Sequence, residues 1–62
     1  MIEFKLSTVT STNNGVSVQF DGEISPSQKK YKRLSSYSSP AVGDRVLMVE
    51  VAGTYVILGK VV

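Results

Sequence analysis

Apolar and polar residues alternate at the start of this chain, with Ile2, Phe4 and Leu6 interleaved with Glu3, Lys5 and Ser7. A period of two marks a strand with one buried face, so the pattern predicts a first strand whose Ile2, Phe4 and Leu6 turn to the core. Val9 breaks that parity, and a bulge near Ser7 and Thr8 returns it to the core side. Asn13-Asn14-Gly15 then supplies residues that tolerate positive φ, a signal for a tight hairpin. Beyond it Val16, Val18 and Phe20 alternate with Ser17 and Gln19, which sets Val9 beside Val18 or Phe20.

Asp21-Gly22 ends the second strand. The following EISPSQKK segment has no period and carries Pro26, which predicts an exposed loop, and a third, shorter strand is expected within Tyr31 to Tyr37. Pro40, Gly43 and Asp44 form a turn ahead of RVLMVEVAGTYVILGKVV, the strongest hairpin signal in the chain. With Ala52-Gly53 as its turn, Leu47 opposes Leu58, Val49 opposes Val56 and Val51 opposes Thr54, a predicted buried ladder. On the other side Met48 opposes Ile57 and Glu50 opposes Tyr55, so the predicted exterior is itself largely apolar. Met48, Tyr55 and Ile57 are thus a candidate assembly face, unless the loop 23–30 folds over them. Five strands without helical periodicity predict an all-β protein, a small antiparallel barrel forming one domain over residues 1–62.

Composition narrows the chemistry. The 62 residues contain no Cys, no His and no Trp, which removes disulfides, thiolate nucleophiles and the commonest metal ligand and general base. Asp21 and Glu23 flank Gly22, but two carboxylates at this spacing are better read as turn residues than as a calcium loop. Serines are plentiful, yet no His is present to activate one. The expectation is a non-enzyme with no cofactor, no metal and no small-molecule substrate. No apolar run reaches the length of a membrane span and no signal-peptide pattern opens the chain, so no membrane partner is expected.

Seven basic against five acidic residues leave a net charge of +2, and four of the seven fall inside KKYKR. Lys29, Lys30, Lys32 and Arg33, with Tyr31 and Tyr37 interleaved, are the residue types that neutralise phosphates and stack bases. The same residues also suit a solvated loop whose lysines discourage edge pairing, and the low net charge favours that reading.

The order of features from Ser38 onward is more specific than its composition. Pro40, Val42, Gly43, Asp44, Val46 and Leu47, then Gly53, Val56, Leu58 and Gly59, resemble the closing half of the small OB-like barrels of phage and prophage tail, baseplate-hub and spike proteins. VTSTNNGVSVQFDGE is similar to the first hairpin of such domains, and KKYKRLSSY to their linking strand. The resemblance implies a five-stranded OB-like barrel, with an SH3-like barrel as the alternative. It further implies a structural role in tail or baseplate assembly, exerted through contacts with other virion proteins or with copies of the chain itself. The location implied is the virion or the host bacterial cytoplasm. Spike proteins continue into a needle segment where this chain stops at Val62, so a domain excised from a longer phage structural protein is one expectation. A nucleic-acid-binding module using KKYKR is the alternative function.

Overall fold

A computed structural model describes residues 2–62. Five strands form one mixed sheet curled into a half-barrel, with no helix among the described residues: β1 (Phe4–Ser11), β2 (Ser17–Phe20), β3 (Lys32–Arg33), β4 (Arg45–Val51) and β5 (Thr54–Lys60). Their order across the sheet is β2-β1-β4-β5-β3. β1 pairs antiparallel with β2 and with β4, β4 pairs antiparallel with β5, and β3 runs parallel to β5. The parallel pair departs from the all-antiparallel expectation. It arises because the connection after β2 returns as a short strand on the far edge of β5. An isolated antiparallel bridge joins Val16 to Tyr31, immediately ahead of β3.

The second hairpin follows its pattern. Ala52 (φ 52°) and Gly53 (φ 82°) make a two-residue turn, and Val51 faces Thr54, Glu50 faces Tyr55, Val49 faces Val56 and Met48 faces Ile57. Two adjacent positive φ values give the turn the twist that its flanking strands share. An irregularity then inserts one extra residue, so Leu47 meets Gly59 rather than Leu58.

The first strand departs from its pattern, and the departure reverses the sheet. Pairing runs regularly through Ser7 and Thr8 to both neighbours, and the irregularity in β1 lies between Val9 and Ser11 instead. Without a bulge at Ser7, the parity of Val9 extends back through Ser7 to Lys5, and a one-residue slip exchanges every side chain between faces. Ser7, Val9, Val46, Met48 and Ile57 therefore point inward, while Phe4 and Leu6 point out. Met48 and Ile57, expected on the exterior, are both 0% exposed at the centre of the core. Val9, Val16, Val18, Phe20, Tyr37 and Val46 complete that core, with Tyr31 and Tyr55 packed against it.

Room decides the choice. The inside of so small a curl holds few large side chains, so Ser7, fully buried beside Phe20 and Val46, leaves space for Met48. Its hydroxyl donates to the Met48 sulfur at 3.0 Å, and no buried side-chain polar atom among the described residues lacks a partner. Ser17, also buried, donates to the Lys29 carbonyl at 3.0 Å and so ties the 23–30 loop to β2.

The Gly43-Asp44 corner fastens the middle of the chain. Gly43 adopts φ +96°, where a side chain is strained, and its N–H donates to the Val9 carbonyl while the Val9 N–H donates to the Asp44 carbonyl. The Asp44 carboxylate accepts from the Tyr37 hydroxyl at 2.7 Å and the Ala41 N–H at 3.1 Å, with the Lys60 ammonium 3.5 Å away. These partners, led by Tyr37, hold the Asp44 carboxyl below its ordinary value. Burial first, and then the bond to Asp44, pushes the Tyr37 phenol up to about 12.

Candidate protein interface

The strands β4 and β5 are apolar on both faces. Antiparallel sheets that meet water on one side alternate, whereas near-continuous apolar strands belong to sheets covered on both. The inner face is covered by the curl itself. The outer face is built by register: Phe4 lies beside Val49, Val49 beside Val56, and Val56 beside Lys32, while the next row sets Leu6 beside Leu47. Leu58 lies at the irregularity in β5, Leu34 directly follows β3, and Ile2 and Val51 stand at the hairpin end. Ile2 is 68% exposed, Phe4 60% and Leu6 41%, and Leu47, Val49, Val56 and Leu58 are half-buried by one another. The result is a contiguous apolar plate across β1, β4 and β5.

Charge is confined to the rim of the plate. At one end Arg45 donates to Asp21 through both arms of its guanidinium, at 2.6 and 2.7 Å, and to the Thr8 hydroxyl at 3.1 Å. The fork ties the end of β2 to β4 and holds the Asp21 carboxyl below its ordinary value.

The inner face opens at the other end on an aromatic group. Phe20 and Tyr55 have ring centroids 5.0 Å apart, and Tyr31 meets both edge to face at 5.8 and 6.2 Å. The Lys5 ammonium sits 5.6 Å from the Phe20 ring and 5.8 Å from that of Tyr55, with Glu3 at 3.6 Å. The Tyr55 hydroxyl donates to Glu3 at 3.0 Å. Tyr55 and then Glu3 keep the Lys5 ammonium above its ordinary range.

The proposed contact residues divide. Tyr37 is buried and bound to Asp44, so it presents no ring to a ligand. Tyr31 is half-buried, its ring engaged by Phe20 and Tyr55 and its hydroxyl 3.2 Å from that of Ser27. Lys29, Lys30, Lys32 and Arg33 are exposed, and none of them forms an ion pair among the described residues. Lys32 and Arg33 line an open groove of about 600 Å³ with Thr12, Gly15, Tyr31 and Pro40. Of the assembly face, Tyr55 is half-buried at the aromatic group, and Met48 and Ile57 belong to the core. The residues missed were Phe4, Leu6, Leu47, Val49 and Val56, and the signal for them was the absence of alternation in β4 and β5.

Comparison with protein-family models, with curated proteins and with solved structures found no match to this chain.

Proposed function

We propose that this chain is a non-enzymatic docking module, an OB-like barrel of a phage or prophage tail or baseplate that acts by holding other virion proteins. The observation that carries the docking role is the uncharged apolar plate on the outside of β1, β4 and β5. Monomers rarely leave apolar patches beyond a few hundred Å² in water, and larger ones mark interaction sites. The OB-like reading is supported by the pairing order, with β1 between β2 and β4, β3 parallel to β5, and Val16 bridged to Tyr31. The phage reading is supported by the Pro40 to Leu47 pattern and the Gly53 to Gly59 hairpin, whose turn residues the fold uses at the matching corners. Fold alone carries no function, so the plate bears the weight.

Photo-crosslinking tests it. A diazirine side chain at position 56, on the plate, is compared with one at position 28, in the exposed loop, in cells that make the chain naturally. The expected outcome is one crosslinked virion protein from position 56, lost when Leu47→Lys is added, and none from position 28. Equal crosslinking from both positions would end the docking reading.

One observation favours a second reading. The groove beside Lys32 and Arg33, flanked by the unpaired Lys29 and Lys30, could take a single-stranded nucleic acid by its phosphates. Fluorescence titration with single-stranded DNA and RNA at low salt separates the two. Micromolar binding that weakens steeply with salt and with Arg33→Ala supports the groove, and its absence removes it.

A further inference from the structure

β1 is longer than the strand beside it. β2 ends at Phe20, opposite Ser7, and the last bond on that side runs from the Asp21 N–H to the Leu6 carbonyl at 3.1 Å. The chain then turns back, with the Glu23 N–H donating to the Phe20 carbonyl. Toward the N-terminus β1 is covered by β4 alone, where the Glu50 N–H donates to the Glu3 carbonyl at 2.8 Å. Backbone groups of successive residues point to alternate sides of an antiparallel strand. Glu3 and Lys5 therefore face β4, and the Phe4 N–H and C=O face outward along an open edge, without a partner among the described residues.

Open edges pair with other strands, and an edge that pairs with itself must do so about a two-fold axis. In an antiparallel pairing centred on Phe4, Phe4 meets Phe4 of the second copy, Glu3 meets Lys5, and Lys5 meets Glu3. That register exchanges both Phe4 backbone bonds and sets acid against base on the inner side at both flanking positions. A register shifted to centre on Glu3 or Lys5 opposes like charges and is disfavoured. The slot opposite Leu6 is already filled by Asp21, so the ladder spans Glu3 to Lys5. Ile2 lies outside β1, so the ladder does not depend on it.

We propose that the N-terminal half of β1 is a self-pairing edge that joins two copies of this chain through Glu3, Phe4 and Lys5. The inference stands on the backbone edge and the charge order, independently of what covers the apolar plate. Joining the edges runs the two plates into one continuous surface, with the two Phe4 side chains adjacent at the seam.

Sedimentation equilibrium from 20 µM to 2 mM at low salt tests it with charge exchange. The wild type is expected to approach twice the chain mass in the upper part of that range. Glu3→Lys alone and Lys5→Glu alone are expected to weaken association at least tenfold. An equimolar mixture of the two, and the double variant, are expected to restore it. Both side chains are exposed, and circular dichroism checks that each variant folds. As a second measurement, hydrogen exchange at the Phe4 amide should slow with concentration in the wild type. A wild type that remains monomeric at 2 mM, or a dimer insensitive to Glu3→Lys, would overturn the inference. Neither result bears on crosslinking from position 56, which reports the plate.

Discussion

The two faces of the β1, β4 and β5 sheet are built from nearly the same residue types, yet one is a core and the other is a surface. Inside, Val9, Val46, Met48 and Ile57 are enclosed because the sheet curls and because Phe20 and Tyr37 close over them. Outside, Phe4 and Leu6 are exposed, and Leu47, Val49 and Val56 are only half-buried beside them across the sheet. Apolarity alone therefore does not determine burial in a chain this short. Enclosure does, and a curl this tight has room for one layer. The surplus apolar residues belong either to a partner or to nothing.

The largest expected effect breaks the symmetry of the two faces. Ile57→Ala and Met48→Ala each leave a cavity in a fully enclosed layer, and such truncations cost about 2–5 kcal/mol. Against a total stability of roughly 5–15 kcal/mol, and toward the lower end for a small domain, either change removes a large share of the stability. Denaturant titration measures this. Val56→Ala on the outer face, with water already beside it, should cost well under half as much. Equal costs for Ile57→Ala and Val56→Ala would mean that the outer plate is packed as a core within the isolated chain.

A smaller effect sharpens what closes the inner face. Tyr37 reaches the core from the connection before β4 and is anchored there by Asp44. Tyr37→Phe keeps the ring and removes the anchor, for an expected loss of about 1 kcal/mol. The bond also fixes a pH dependence. The Asp44 carboxyl is lowered in the folded chain, so its stabilisation is present above its ordinary value of 3.8 and is lost as pH falls below it. The Tyr37 phenol is raised from 10.0 to about 12, so its stabilisation is present below 10 and is lost as pH climbs through that window. Thermal melts across pH should show a plateau between these limits, and Tyr37→Phe should flatten both shoulders. Shoulders unchanged in Tyr37→Phe would assign the pH dependence to other groups.

How far the sequence could be read depends on which signal had a competitor. The hairpin about Ala52-Gly53 and the alignment of Val9 with Val18 were legible, because turn residues and alternation agreed. The facing of the sheet was not. Ile2, Phe4 and Leu6 made the stronger local pattern, yet one residue, Val9, carried the parity that β2 enforces through Val16, Val18 and Phe20. A bulge at Ser7 would satisfy both signals, whereas the fold keeps β1 regular there and leaves Phe4 and Leu6 to solvent. The parallel β3 was illegible for another reason: two residues carry no periodicity, and their placement depends on contacts with β5 far along the chain. The apolar outer face was half legible. An apolar exterior was evident from β4 and β5, but the same parity error named Met48 and Ile57 in place of Leu47, Val49 and Val56.

The smallest expected effect on stability is the most informative about the outer face. Leu6→Thr and Val49→Thr each keep a side chain that suits a pleated strand and remove part of the plate. If water or a separable partner covers that plate, neither change costs the isolated chain more than about 0.5 kcal/mol, the usual range for surface substitutions. The double change should add without coupling beyond a few tenths, and it should abolish crosslinking from position 56 while leaving the melting curve in place. Stability and docking then separate onto the two sides of a sheet only one residue thick. A chain that unfolded on losing Leu6 and Val49 would have been using both faces as core, and its proposed docking surface would have to be sought at the Lys32 and Arg33 groove instead.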